Sequence, residues 1–405
     1  ITNNYFIQNK QTIVLIKTDM IIKHFTDNDL YKYSVMLAIQ RLYPWAYVKY
    51  EFINRGKSEF PEGFAERLKE EVASMANLKM TKEEKRYITK RCYYFDPVFI
   101  DFLEGYQYDP TEVKISQNGG ELKVDIEGYW YRTVLWEVPL MAIISELYFQ
   151  MKGDIPREVE EKAIAKALRL TDMKADFSDF GTRRRFSFGV HDIVINSFKE
   201  NAPDYFKGTS NVYLAMKYNT IPIGTMPHEW FMFHGAVYGY RAATAKALEA
   251  WVDVYQGSLG ISLKDTYTTD IVYESFNLKQ AKLFDGVRWD SGDPLEYTDT
   301  TIRFYEHNRI DPLSKTIVYS DSLDLERIKE IKEYVNGRIH DAYGIGTFFT
   351  NDVGVKPLNM VIKLIQVKFS KDLKYHHAVK LSDVPGKNTG NAEEIELCKK
   401  VLGLF

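Results

Sequence analysis

Cysteine is scarce in this chain, which has only Cys92 and Cys398 among its 405 residues. Two cysteines cannot build a disulfide framework in a chain of this length, and neither lies in the C-x-x-C spacing that indicates a metal site. Free thiols are typical of proteins in a reducing compartment. We therefore expect a cytoplasmic protein without structural disulfides.

A long uninterrupted apolar run is also missing. The best candidate, residues 135–144, is broken by Glu137 and is shorter than the roughly 18 residues that a membrane-spanning helix needs. Residues 1–19 have no basic start followed by an apolar segment and a small-residue cleavage site, so they lack the pattern of a signal peptide. The sequence predicts no segment that crosses a membrane.

Neither sign of charge dominates, because 53 Lys and Arg residues face 56 Asp and Glu residues, for a formal net charge of −3. Domains that bind nucleic acids are usually strongly basic, and anionic membranes also attract basic surfaces. We therefore expect neither a nucleic acid nor a membrane as a partner.

The chain is long enough for two domains or for one barrel with appendages, since a domain usually has about 100 to 200 residues. We expect an N-terminal α+β domain over residues 1–150, with 1–19 as an extension. An α/β barrel domain is expected over 151–356, followed by a C-terminal segment over 357–405 that packs with the N-terminal domain.

The N-terminal part mixes helix and strand signals. Apolar spacing predicts a helix over 26–43, which Asp27 or Asn28 would cap, and alternation predicts a strand over 47–54. The remaining predictions here are helices over 64–76 and 82–92 and a hairpin within 112–135 around Gln117-Asn118-Gly119-Gly120.

After about residue 153 short strand-like runs alternate with amphipathic stretches, which is the rhythm of an α/β fold with a parallel sheet. About seven such units favour an irregular barrel, and ligands of such sheets bind at the carboxyl ends of the strands. Polar or small residues end the predicted strands at 177–181, 208–210, 224–226, 263–266, 290–293, 320–322 and 344–347.

The last predicted strand ends in Gly344-Ile345-Gly346-Thr347. Backbone N–H groups of such a glycine-rich segment can bind a phosphate, and phosphate sites near the last strands of these barrels are frequent. A tight turn without a ligand explains the same residues, because short Gly-x-Gly runs are weak signals.

Residues 286–294 carry a sharper pattern, Gly-Val-Arg-Trp-Asp-Ser-Gly-Asp-Pro. Arg288 beside Asp290 and Asp293 offers a guanidinium for a phosphate and carboxylates for ribose hydroxyls or Mg²⁺. The alternative is a capped strand-to-helix turn with a surface ion pair.

Two further strand ends carry candidate groups. Arg183, Arg184 and Arg185 follow the strand that ends near residue 180, where they would either bind an anionic ligand or form a solvated face. His228 lies just past the strand that ends near Met226 and would act as nucleophile or base, although a lone histidine is more often structural.

Six separated segments together resemble the nicotinate phosphoribosyltransferase family, in the family's order and over about residues 25–390. They are Asp29-Leu30-Tyr31-Lys32, Phe180-Gly181-Thr182-Arg183-Arg184, Gly208-Thr209-Ser210-Asn211, Gly224-Thr225-Met226-Pro227-His228-Glu229-Trp230, Arg288-Trp289-Asp290-Ser291-Gly292-Asp293 and Gly344-Ile345-Gly346-Thr347. The tail segment 379–387 adds to the match.

The resemblance implies the type II phosphoribosyltransferase fold, an irregular α/β barrel with an α+β sandwich-like domain formed by N- and C-terminal segments. It also implies a homodimer with shared active sites. The implied reaction joins nicotinate to 5-phosphoribosyl 1-diphosphate in NAD salvage and releases nicotinate mononucleotide and diphosphate. ATP would phosphorylate His228, and Mg²⁺ would accompany the phosphates, with its protein ligands unknown.

By the same resemblance, Tyr31 from the partner subunit and Phe180 would clamp the pyridine ring, while Arg288 stabilises phosphates and Asp290 holds ribose hydroxyls. The run of three arginines leaves open which of them faces the ligand. The other expected substrate-binding residues are Arg183, Arg184, Thr209, Ser210, Thr225, Ser291, Gly292, Ser320, Gly344, Gly346 and Thr347.

Two alternatives stay open. Nicotinamide phosphoribosyltransferase shares these elements but has an aspartate where this chain has Ser210, and a carboxylate there would repel the carboxylate of nicotinate. The second alternative is a sensor that binds phosphoribosyl diphosphate without turnover. A sensor has no use for a phosphorylatable His228.

Overall fold

The structure, a computed structural model, describes residues 20–383 and 388–404. The expected N-terminal extension, residues 1–19, lies outside the described residues. The strands of the described part are β1 (Tyr47–Asn54), β2 (Val113–Asn118), β3 (Glu121–Tyr129), β4 (Asp176–Asp179), β5 (Phe206–Thr209), β6 (Ile221–Pro222), β7 (Ile261–Leu263), β8 (Gly286–Trp289), β9 (Thr316–Tyr319), β10 (His340–Ile345), β11 (Met360–Lys368) and β12 (His376–His377).

Helices surround both groups of strands. They are α1 (Leu30–Leu42), α2 (Phe64–Ser74), α3 (Lys82–Arg91), α4 (Pro97–Gly105), α5 (Trp130–Thr133), α6 (Glu137–Lys152), α7 (Val159–Asp172), α8 (Phe188–Asn201), α9 (Val212–Lys217), α10 (His228–Tyr238), α11 (Tyr240–Tyr255), α12 (Thr269–Ser275), α13 (Leu278–Leu283), α14 (Pro294–His307), α15 (Leu325–Val335), α16 (Thr347–Thr350) and α17 (Ala392–Leu402).

Seven strands form one parallel sheet in the order β6-β5-β4-β10-β9-β8-β7. Each of them corresponds to one of the seven predicted strands and ends at or close to the predicted position. Helices such as α8 and α14 connect neighbouring strands. The sheet curls, but β6 and β7 do not pair among the described residues, so the barrel is open on one side. The prediction of an irregular α/β barrel is confirmed.

The second sheet is antiparallel, in the order β12-β11-β1-β3-β2. Its central strand β1 pairs with β3 on one side and with β11, from the C-terminal part of the chain, on the other. Segments from both ends of the chain therefore build this sheet, as the fold prediction requires. The numerical domain boundaries stay a prediction.

The predicted cap of the first helix is wrong. Helix α1 begins at Leu30 with Asp29 as the residue before it, and Asp29 makes no capping hydrogen bond. Asp27 instead pairs with the Arg185 guanidinium, and the Asn28 side chain donates to the carbonyl oxygen of Leu135. Both side chains therefore serve tertiary contacts.

The hairpin prediction is confirmed, since Gly119 lies in the turn between β2 and β3 with φ of +56°. Helical structure replaces the predicted strand from Trp130 onward. By length and composition the stretch Trp130–Lys152 could cross a membrane, but 78% of its most apolar window is buried inside the protein. A helix that is apolar on all sides and buried is typical of a protein core.

Candidate active site

One large cavity, of about 570 Å³, opens at the carboxyl ends of the parallel strands. The antiparallel sheet closes its other side with residues after β1 and along β11. Open α/β sheets bind ligands at this end of the strands. The predicted site residues on its wall are Tyr31, Phe180, Arg183, Arg184, His228, Arg288, Asp290, Ser291, Ser320, Gly346 and Thr347.

Five predicted site residues lie behind this wall. Thr209 donates to Asp179 Oδ2 over 2.6 Å, Ser210 donates to Asp29 Oδ1 over 2.8 Å, and Thr225 accepts from Arg288 Nη1 over 2.9 Å. Gly292 has φ of +82° and lies near Asp383. Their direct contact with a ligand stays a prediction.

Gly344, the fifth of these residues, lies directly beneath the Phe180 ring. A Cβ atom on Gly344 would lie 2.2 Å from Phe180 Cε2, which no real contact allows. The absence of a side chain at this position therefore lets the aromatic ring pack directly against β10 at the cavity wall.

Tyr31 and Phe180 reach the cavity from the same chain. Backbone hydrogen bonds from Leu30 N–H to the Ser210 carbonyl and from Val212 N–H to the Asn28 carbonyl fix the start of α1 beside the end of β5. Within one chain, Tyr31 therefore lines the same cavity as Phe180, and a contribution from a partner subunit to the site stays a prediction. The homodimer itself stays a prediction.

The three consecutive arginines have different positions. Arg185 is fully buried and donates from two nitrogens to Asp27, over 2.6 and 2.7 Å. Arg183 lies on the cavity wall with Nη1 3.5 Å from Glu137 Oε1. Arg184 also lies on the wall, where burial and the neighbouring Arg183 lower its pKa to about 10.

His228 begins helix α10 and is in contact with polar groups at both ring nitrogens. Nδ1 is 3.0 Å from Thr266 Oγ1, and Nε2 is 3.0 Å from Asp290 Oδ2. Burial, reinforced by the charge of Lys380, lowers the pKa of His228 to about 4. The imidazole is therefore neutral near pH 7, as a nucleophilic nitrogen must be.

Arg288 and Asp290 form a rigid pair beside this histidine. The guanidinium donates to Asp290 Oδ1, to Ser320 Oγ and to Thr225 Oγ1 over 2.7 to 2.9 Å. Although burial alone raises the pKa of Asp290, the Arg288 charge and the His228 contact hold it well below its ordinary value. Asp290 is thus an anionic acceptor fixed in one orientation.

Several residues of the cavity were not predicted from the sequence. Arg55 follows β1, Lys363 lies on β11, and Lys380 lies in the tail. Burial and the nearby Lys380 lower the pKa of Lys363 to about 8. The tail segment 379–387 was a usable signal for Lys380, but Arg55 and Lys363 reach the site only because their sheet packs across the barrel mouth.

The charge on the cavity wall differs from that of the whole chain. Six basic side chains face four acidic ones, whereas the chain carries a net charge of −3. The basic set is Arg55, Arg183, Arg184, Arg288, Lys363 and Lys380. A cavity lined with excess positive charge concentrates anionic ligands, and arginine suits phosphates in particular.

A group suited to a metal ion includes His228 and Asp290 on the cavity wall and the buried Asp265. Ligand atoms of His228, Asp265 and Asp290 lie within 4.8 Å of one another. The buried Asp265 Oδ1 accepts no hydrogen bond from the described residues. Carboxylate oxygens are the donors that Mg²⁺ prefers, so Asp265 and Asp290 fit that ion, whereas the His228 nitrogen is a poorer ligand for it.

The sequence profile described as the nicotinate phosphoribosyltransferase (NAPRTase) family matches residues 175–404, and the profile of the family's N-terminal domain matches residues 26–145. The chain belongs to the nicotinate phosphoribosyltransferase family. The chain is also 50% identical over 381 residues to nicotinate phosphoribosyltransferase of Chromohalobacter salexigens, a match that covers 93% of this chain and 97% of that protein.

Solved structures of the family share the whole fold. The crystal structure of nicotinate phosphoribosyltransferase from Porphyromonas gingivalis has a TM-score of 0.93 and 45% identity, covering 95% of this chain and all of that one. The enzyme from Vibrio cholerae has a TM-score of 0.89 and 32% identity, covering 96% of this chain and 95% of that one. Both sheets therefore belong to the family's architecture.

Proposed function

We propose that this protein joins nicotinate to 5-phosphoribosyl 1-diphosphate, giving nicotinate mononucleotide and diphosphate, and that ATP hydrolysis drives the reaction through a phosphohistidine at His228. The observation that carries the proposal is one cavity that combines an aromatic pair, an excess of basic side chains and a neutral histidine. The names of the similar proteins support the same reaction.

The base would bind between Tyr31 and Phe180, which line the same cavity. Stacking of an aromatic ring contributes about 0.5 to 1.5 kcal/mol beyond the burial of its area. Arg183 on the adjoining wall would pair with the nicotinate carboxylate. Ser210 behind it adds no negative charge, whereas an aspartate at that position would repel the acid.

The phosphates would bind to the basic side chains on the opposite wall. Arg288 offers a guanidinium whose orientation Ser320 and Thr225 fix. Arg55, Lys363 and the backbone near Gly346 would bind the other phosphate groups. Cleavage of the ribose–diphosphate bond creates a cationic sugar and an anionic leaving group, so fixed charges around the reacting bond stabilise the transition state.

Asp290 would accept hydrogen bonds from ribose hydroxyls, because Arg288 and Ser320 keep it ionised and oriented. Where Mg²⁺ accompanies the phosphates, Asp290 and Asp265 would hold it, and the ion would neutralise charge on the departing diphosphate. His228 Nε2, which faces Asp290 rather than the buried Thr266, would accept the γ-phosphoryl group of ATP.

The product is a pyridine nucleotide, so we place the reaction in NAD salvage. The two free cysteines are typical of a reducing compartment, so we place it in the cytoplasm. The test is diphosphate release from phosphoribosyl diphosphate with nicotinate or nicotinamide, each with and without ATP. We expect release with nicotinate that ATP accelerates, and loss of that acceleration in His228→Ala.

Each other outcome overturns a named part of the proposal. Release with nicotinamide alone would show that the base was wrongly assigned. Unchanged ATP stimulation in His228→Ala would remove the phosphohistidine. Saturable binding of phosphoribosyl diphosphate without any diphosphate release would support the sensor alternative.

A further inference from the structure

A lysine without a role in the proposed reaction lies at the cavity-facing nitrogen of His228. Lys380 Nζ is 2.9 Å from His228 Nε2 and 3.0 Å from Asp265 Oδ2. Its side chain is 12% exposed, and its backbone N–H and C=O both pair with Thr389. The ammonium group is therefore held in place at the nitrogen that would accept the phosphoryl group.

Two neighbours of His228 Nε2 favour opposite protonation states of that nitrogen. The Asp290 carboxylate, 3.0 Å away, can only accept a hydrogen bond and favours the tautomer with a proton on Nε2. The Lys380 ammonium can only donate and favours the tautomer with a lone pair on Nε2. The two neighbours thus select different states of the same imidazole.

The other ring nitrogen does not decide between these states. Nδ1 contacts Thr266 Oγ1, and a hydroxyl group either donates or accepts a hydrogen bond. The Asp290 carboxylate also receives two hydrogen bonds at its other oxygen, from Arg288 Nη2 and Ser320 Oγ, each over 2.7 Å. These donors weaken the hydrogen bond that the carboxylate would accept from His228. The Lys380 ammonium therefore determines the tautomer, and the lone pair stays on Nε2.

We propose that Lys380 is a catalytic residue that keeps the lone pair of His228 on Nε2 and then neutralises the phosphoryl group that this nitrogen accepts. The inference rests on the proposed phosphohistidine. In the step, the Nε2 lone pair forms the N–P bond and the bond from the γ-phosphorus to the bridging oxygen breaks. ADP leaves with that electron pair, while the ring proton stays on Nδ1 beside Thr266.

The geometry suits the second part of this role. Because Lys380 Nζ already lies within hydrogen-bond distance of Nε2, an oxygen of a phosphoryl group on Nε2 comes within reach of the ammonium after a small shift. Its contact with Asp265 anchors the ammonium from the other side. A fixed cation aimed at developing phosphate charge is worth most where water is excluded.

The first test measures labelling of the protein by ATP that carries a labelled γ-phosphate, without nicotinate or phosphoribosyl diphosphate. We expect the rate of acid-labile labelling to fall about 100-fold or more in Lys380→Met, as for removal of one fixed donor elsewhere. Lys380→Arg should regain part of the rate. The control is Lys374→Met, which changes an exposed lysine of the C-terminal segment 357–405 and should label as the wild type does.

The second test reads the state of His228 in the wild-type protein and leaves Lys380 in place. The ¹⁵N resonance of His228 Nε2 in the wild-type protein, assigned by its loss in His228→Gln, should show an unprotonated nitrogen at neutral pH. A protonated Nε2 would overturn the inference, and so would a folded Lys380→Met variant that labels at the wild-type rate. Absence of label on the wild-type protein would instead refute the proposed ATP coupling, whatever the tautomer.

Discussion

A single methyl group at Gly344 should weaken binding of the base without touching it. In Gly344→Ala the new Cβ would lie 2.2 Å from Phe180 Cε2, where ordinary contact is 3.4 to 4 Å. The ring must therefore retreat by about 1.2 to 1.8 Å. Gly344 has no positive φ, so the substitution acts on the ring and not on the backbone.

The expected size of the effect on stability and on nicotinate binding follows from the contacts of the Phe180 ring. Overpacking of this kind costs roughly 1 to 3 kcal/mol of stability. Loss of a stacking contact worth about 0.5 to 1.5 kcal/mol raises the KM for nicotinate roughly 2- to 13-fold. The KM for phosphoribosyl diphosphate should change less, because Arg288 and Lys363 lie elsewhere on the cavity wall.

The assay is the initial rate of nucleotide formation at varied nicotinate, together with thermal unfolding of each protein. Gly105→Ala is the matched control, since its Cβ meets nothing within 4 Å. A fall in melting temperature with an unchanged KM for nicotinate would show that Phe180 moved without affecting the base, which would refute the clamp. An unchanged melting temperature would refute the steric reasoning itself.

Three further predictions concern assembly, stability and pH. A mixture of Tyr31→Ala and Arg288→Ala chains should show no more activity than the two chains alone, because one chain supplies both residues to one cavity. Arg185→Met should lower the free energy of unfolding by about 3 to 5 kcal/mol in urea titrations, because it leaves a buried carboxylate unpaired. Burial lowers the pKa of both His228 and His234 to about 4, so the unfolded chain binds more protons between roughly pH 6.5 and 4. The urea midpoint should therefore fall as the pH is lowered from 7 to 5.

Each of these has a result that would contradict it. Recovery of activity in the mixed chains would show that a partner subunit supplies one of the two residues to each site. Arg184→Met is the control for Arg185→Met, since Arg184 lines the open cavity whereas Arg185 pairs with the buried Asp27, and equal losses in both would deny the special role of the buried pair. A urea midpoint independent of pH between 7 and 5 would mean that the two histidines do not govern acid stability.

The parallel sheet could be predicted because each strand end carries a local signature. Residues at the carboxyl ends of parallel strands meet at one edge, so Arg183, His228, Arg288 and Gly346 were expected together, and they share one cavity. The same reasoning could not separate residues on the wall from those just behind it. Ser210 is one residue past β5 yet turns toward Asp29.

Contacts between distant segments could not be predicted. Asp27 has every local property of a helix cap, but Arg185, far along the chain, takes its carboxylate. Arg55 and Lys363 look like ordinary residues at a strand end and on a strand. They become site residues only because the antiparallel sheet packs over the barrel, which no local pattern encodes.

The pairing of β1 with β11 also sets the order in which the molecule can be completed. Tyr47 pairs with Lys368, more than 300 residues later, so the central strand of the antiparallel sheet lacks one neighbour until residues 360–368 have left the ribosome. Closing so long a loop costs little more free energy than closing a shorter one, but such distant contacts form slowly. Lys363 and Lys380 belong to this late segment, so the cavity wall that they line is complete only after it has been made.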